Sequence, residues 1–177
     1  MDLQLNRVEV TQAIQCLNNP SCPDNSVPLY AGKPTLVRAY VFLDRGPLVL
    51  GGISGRLCRG DTGATSCVSP IRPIRSINLE QANNSIAALR RDLALTLDFL
   101  VPMAWVSGPG NLDFTVYVNY NGENTPECCY DNNRQHLSLY VSTGRTVDVV
   151  FLPVLANGFQ PNINERGAIA DWLFRVY

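Results

Sequence analysis

The sequence predicts an all-β chain, an antiparallel β-sandwich of about seven strands with a short C-terminal helix. Three observations carry this. Apolar and polar residues alternate at period two through most of the first 151 positions. The alternating runs are separated by turn-forming stretches, with 13 glycines and 12 prolines in the chain. A sustained helical period occurs only after Asn164. The chain has 177 residues, 46% of them hydrophobic and 16% charged, which is enough to bury a core in one ordinary domain.

The elements follow in order. Val8, Val10, Gln12 and Ile14 share one face of a first strand, while Leu3 and Leu5 have the opposite phase. The change near Asn6 and Arg7 predicts a bulge or a switch of sheet. A loop through Pro20, Asp24 and Pro28 leads to a long strand, Thr35 to Leu43. There Val37, Ala39, Val41 and Leu43 face one way and Leu36, Arg38, Tyr40 and Phe42 the other. After the turn Asp44-Arg45-Gly46-Pro47, a strand is expected near Ile53 to Cys58, with Gly51, Gly52 and Gly55 allowing close backbone approach. Residues 69–82 read as irregular, and 83–100 as at most a helical turn followed by a strand from Ala94 to Leu100. Trp105 is expected at the end of the sandwich. Leu112, Phe114, Val116 and Val118 form a clean strand face. A polar loop, Asn119 to Asn133, precedes a strand through Leu137, Leu139 and Val141, and Val147, Val149 and Phe151 form the last one.

The tail differs. Ile169, Trp172, Leu173 and Val176 recur at helical spacing and make one apolar stripe. The expected organisation is therefore a sandwich over 1–156, then a linker and helix over 157–177 that either closes the sandwich or starts a following domain.

Six cysteines, an even number, fit a disulfide framework made in an oxidising compartment. Cys16 and Cys22 flank one short loop and Cys58 and Cys67 another, so each pair suggests a local bridge. Cys128 and Cys129 are adjacent, and could bridge each other, pair elsewhere or bind a partner. The expected location is extracellular or at the cell surface, with the leader absent from this chain. Reduced cytosolic cysteines are the alternative, since Met1-Asp2-Leu3-Gln4 does not open a signal peptide. The cysteine spacings do not form zinc knuckles.

Composition excludes several functions. The net charge of -1 and pI near 5.8 argue against a nucleic-acid binder that relies on bulk positive charge. No apolar run approaches the ~20 residues of a membrane-spanning helix. His136 is the single histidine, so no site can draw two from this chain. It reads as structural or solvent-facing, with a nucleophile–base pair to Cys128 or Cys129 as the alternative. No zincin, serine-elbow, P-loop or dinucleotide motif is present. Arg59-Gly60-Asp61 is a three-residue adhesion match of the kind chance supplies, and Asn83-Asn84-Ser85 is a glycosylation acceptor.

Two features remain as candidate sites. The 119–133 loop is rich in oxygen ligands, and Asn121, Glu123, Glu127 and Asp131 are the calcium candidates, although the spacing is not that of an EF-hand. The plain alternative is a wet surface loop. Tyr117, Tyr120, Tyr130 and Tyr140 are candidates for a sugar or peptide platform, or for packing alone. A paired-carboxylate hydrolase is not promoted by any spacing.

The stretch Val8-Glu9-Val10-Thr11-Gln12-Ala13-Ile14-Gln15, followed by Gly32-Lys33-Pro34-Thr35-Leu36-Val37-Arg38, resembles the start of immunoglobulin-like accessory modules of large secreted bacterial proteins. Leu97-Asp98-Phe99-Leu100-Val101-Pro102 with Trp105 and Gly108, Val118-Asn119, and the strand leading to Pro153-Val154 continue the likeness. In some of those proteins the module precedes a zinc metallopeptidase domain, and Trp172 to Tyr177 looks like the lead-in to a following domain. The resemblance implies an immunoglobulin-like fold and no catalytic residues. The cysteines are not part of it.

The expectation is thus a non-catalytic extracellular module that positions a neighbouring domain of the same polypeptide, which the resemblance implies could be a metallopeptidase, or docks a protein or glycan. A stand-alone carbohydrate-binding or adhesion module is the alternative, and a small hydrolase the third reading. No cofactor is expected apart from possible calcium, and neither nucleic acid nor a membrane span.

Overall fold

The first strand, β1 (Asp2–Thr11), shows how the sequence pattern becomes structure. Leu3 and Leu5 are buried, the pairing slips at Asn6, and Val8 and Val10 are then buried as well. One extra residue reverses the period-two phase, so both halves of the strand present apolar side chains to one core. The computed structural model describes residues 1–47, 49–60, 66–78, 86–122, 126–144 and 167, with Asn121 described by its backbone alone. The chain divides into two units, Met1–Thr143 and Gly144–Tyr177. The expected strand at Val147, Val149 and Phe151, the 157–162 linker and the Trp172 stripe lie outside the described residues, as do the 156/157 boundary and Asn83.

Ten strands are described where about seven are expected. After β1 come β2 (Leu29–Tyr30), β3 (Leu36–Arg45), β4 (Val49–Ile53), β5 (Gly55–Arg59), β6 (Cys67–Val68), β7 (Ile74–Asn78), β8 (Leu97–Leu100), β9 (Gly110–Val118) and β10 (Arg134–Ser142). They form sheets ordered β1-β3-β8, β2-β10-β9-β5-β6 and β4-β7. All neighbours are antiparallel except β2 and β10. The single strand expected near Ile53 to Cys58 is two strands that diverge at Ser54. β4 pairs with β7, in the stretch expected to be irregular, and β5 pairs with β9. Glycine permits this divergence: Gly52 has φ +69, and a Cβ on Gly55 would run into the Tyr117 carbonyl oxygen.

One apolar cluster joins all three sheets. It includes Val37, Ala39 and Val41 of β3, Phe99 of β8, Leu57 of β5, Phe114 and Val116 of β9, and Ile53 and Ile74 of the smallest sheet. Trp105 is buried in the same cluster. The chain is therefore predominantly β, built of mainly antiparallel sheets around a shared core.

The other face of the β1-β3-β8 sheet is covered too. The short helix α1 (Ile86–Leu89) places Ile86 and Leu89 against Tyr40 and Leu17, with Phe42 packed alongside. Beneath it lies a buried polar network. The Tyr40 hydroxyl donates to Glu9 Oε2 at 2.7 Å, and Arg90, just after α1, donates through Nη2 to Glu9 Oε1 at 2.5 Å and through Nε to Oε2 at 3.1 Å. Arg38 pairs separately with Asp98 at 2.7 Å. Burial, and then the hydrogen bond to Glu9, push the Tyr40 phenol up to about 12 from its ordinary 10.0. The raised value favours the neutral phenol in the fold. The resulting stabilisation is complete below about pH 10 and is lost as pH rises towards about 12. Urea midpoints should therefore fall across that window, and fall less in Tyr40→Phe. Parallel pH profiles for the two proteins would refute this.

β1 ends at Thr11, so Gln12 and Ile14 do not continue its face as expected, and Ile14 is 79% exposed. Hydrogen bonds explain the departure. Gln12 Nε2 donates to the Tyr30 carbonyl at 2.8 Å while its Oε1 accepts from the Tyr30 amide, which draws the chain off the sheet. Among the described residues, the edge of β1 away from β3 is met by side chains and not by a strand. Asn25 Oδ1 accepts from the Val10 amide and its Nδ2 donates to the Val8 carbonyl, both at 2.8 Å. This pairing occupies an edge that would otherwise invite another chain. The Cys16–Cys22 disulfide closes a ring that ends three residues before Asn25, and the Asn25 amide donates to the Cys16 carbonyl. Cys58–Cys67 bridges directly opposed residues of β5 and β6. Both bridges join the partners suggested by spacing.

Candidate functional site

The polar loop 119–133 is tied down at its ends by its own side chains. Asn119 is fully buried with φ +47, a left-handed conformation that asparagine tolerates. Its amide donates to the Ser54 carbonyl and its carbonyl accepts from Gly122. Glu127 is the hub. Its Oε1 accepts from Asn119 Nδ2 and Asn133 Nδ2, both at 2.5 Å, and its Oε2 accepts from the Leu3 amide at 2.8 Å. One carboxylate thus holds both ends of the loop and the start of β1.

On this frame Tyr117, Tyr120 and Tyr130 line one groove of about 540 Å³, together with Asp131, Asn133 and Arg134. Sheet register sets an arginine on either side of Tyr117. Tyr117 in β9 lies directly opposite Arg56 in β5 on one side and Arg134 in β10 on the other, so the three share a face. The Tyr117 and Tyr120 rings meet edge to face with centroids 5.1 Å apart. The Arg56 guanidinium lies 4.9 Å from the Tyr120 ring centre, a cation–π contact that fixes the ring. Tyr130 is 44% exposed, and its hydroxyl accepts from the Glu127 amide at 3.3 Å. The Asn133 Oδ1 is buried and has no hydrogen-bond partner among the described residues.

Three of the four expected tyrosines therefore converge. Tyr140 does not: it lies further along β10, opposite Asn111, and is 63% exposed. Of the calcium candidates, Asp131 lines the groove and Glu127 is the hydrogen-bond hub. Asn121 sits in the 3-10 turn Tyr120–Gly122, with its side chain undescribed, and Glu123 lies outside the described residues. His136 is exposed on β10, opposite Thr115. Neither Arg134, which lines the groove, nor Arg56, which pairs with Tyr117 from β5, was legible in these roles, because only the β5-β9-β10 register places them beside Tyr117. The arrangement can stack a flat apolar face on tyrosine rings and meet polar groups with guanidinium, carboxylate and amide. Compared with protein-family models and with curated proteins, the chain matches none.

Proposed function

We propose that this chain is a non-catalytic, immunoglobulin-like β-sandwich module of a larger extracellular protein, and that it docks a glycan partner through the Tyr117–Tyr120–Tyr130 groove. The convergence of these rings in one groove, from a strand and two parts of a loop, is the observation that carries the reading. Tyrosine suits such a surface because the ring stacks on sugar C–H faces while the hydroxyl stays wet. Arg134 and Asp131 supply partners for sugar hydroxyls. Two disulfides are consistent with an oxidising compartment. The resemblance to accessory modules supports a place beside a second domain of the same polypeptide, a metallopeptidase among the candidates.

A glycan array probed with the full chain tests this reading, followed by titration of the strongest hit. Tyr117→Ala and Tyr120→Ala should each weaken binding by about tenfold or more, roughly 1.4 kcal/mol. Tyr140→Ala, away from the groove, should leave affinity unchanged. An array without hits, or equal binding by all three variants, would overturn the proposal.

A further inference from the structure

Asp2, Cys128 and Cys129 are 126 positions apart in sequence at the nearest, yet a carboxylate oxygen and the two sulfurs lie within 4.8 Å of one another. We infer that these three residues form a divalent-metal site of the zinc class, with two thiolates, one carboxylate and a fourth position open to solvent. The juxtaposition is fixed by backbone contacts on both sides. The Cys128 amide donates to the Met1 carbonyl at 3.1 Å, the Leu3 amide to Glu127 Oε2 at 2.8 Å, and the Leu5 amide to the Asn132 carbonyl at 3.0 Å. Asp2 and Cys128 therefore sit between stapled neighbours, one on each segment.

The carboxylate is itself held in place. Asn132 Nδ2 donates to Asp2 Oδ1 at 3.2 Å, which orients a carboxylate on a residue only 5% exposed. Both cysteines are exposed, so an ion can enter and water can complete the coordination. Tetrahedral zinc, with bonds of about 2.3 Å to sulfur and 2.0–2.2 Å to oxygen, needs ligand atoms about 3.5 Å apart. Rotation of the exposed cysteine side chains, whose sulfurs lie 2.8 Å apart, supplies that adjustment. The other four cysteines are bridged and unable to ligate. Sequence spacing could not reveal the site, because its third ligand comes from the opposite end of the described chain.

Binding replaces two S–H protons by the metal: one divalent ion enters, two protons leave to solvent, and no electrons move. Metal affinity should therefore rise with pH across the neutral and mildly alkaline range.

The test uses the full chain, prepared without reductant. Alkylation and mass measurement should find two free thiols per chain. Cobalt(II), as a coloured stand-in for zinc, should bind once per chain with sulfur-to-metal charge-transfer absorption and release of two protons, and zinc should displace it. Asp2→Asn and Asn132→Ala should each weaken binding by about tenfold or more. Cys128→Ser with Cys129→Ser should abolish the absorption while leaving the far-ultraviolet circular dichroism unchanged. The inference is overturned if no thiol can be alkylated, which would mean that the adjacent cysteines bridge each other. It is equally overturned if cobalt gives no charge-transfer band, or if Asp2→Asn binds as tightly as the parent chain.

Discussion

Phe114→Ala is expected to destabilise the chain by about 4 kcal/mol, within the roughly 3–5 kcal/mol usual for truncating a buried phenylalanine. Phe114 is fully buried at the middle of β9, opposite Arg59 of β5 and Leu137 of β10. Its ring belongs to the cluster that joins all three sheets. The loss combines the transfer free energy of the ring with the cavity it leaves, because strands hydrogen-bonded on both sides cannot collapse inward. Chemical unfolding checks this: the urea midpoint should fall sharply with an unchanged slope. A loss below about 2 kcal/mol would mean that the sheets can close over the vacancy. With domain stabilities of about 5–15 kcal/mol, this one substitution removes a large share of the margin.

Arg90→Ala is expected to cost about 3 kcal/mol, for a different reason. Glu9 is buried, with its side chain 6% exposed, and Arg90 contributes the two-pronged ion pair that neutralises it. Removing the cation leaves the carboxylate under α1 with the Tyr40 hydroxyl still donating, and breaking a buried pair in this way costs roughly 3–5 kcal/mol. The lower end applies here because the Arg90 side chain is 32% exposed, so water can reach the vacated space. Arg90→Lys should recover part of the loss, since it restores charge without the planar fork. The comparison of the three proteins by urea unfolding decides the matter. A loss under about 1 kcal/mol for Arg90→Ala would mean that Glu9 is already solvated.

Local pattern carried much of the architecture. The alternation in Val37, Ala39, Val41 and Leu43, and in Leu112, Phe114, Val116 and Val118, is the direct imprint of strands with one face on a core, and both sets are buried. The bulge at Asn6 was legible for the same reason, since a change of phase is visible in one dimension. β7 was not, because Ile74-Arg75-Ser76-Ile77-Asn78 spaces its isoleucines three apart and follows Pro73. Its extended form comes from pairing with β4. The end of β1 was misplaced because Gln12 continues the apolar register numerically, while its amide satisfies the Tyr30 backbone.

The candidate sites divide along the same line. The sequence by itself determined the predominantly β class, the turn positions, the two local disulfides and the tyrosines worth examining. All of these depend on residues close together in the chain, where spacing and turn chemistry suffice. Only the tertiary structure decided which tyrosines share a groove, that Arg56 and Arg134 flank Tyr117, that Glu127 holds the loop to β1, and that Asp2 meets Cys128 and Cys129. Each of these depends on strand register or on backbone hydrogen bonds between distant segments. Register is set by how the whole core closes, so no short stretch of sequence contains it.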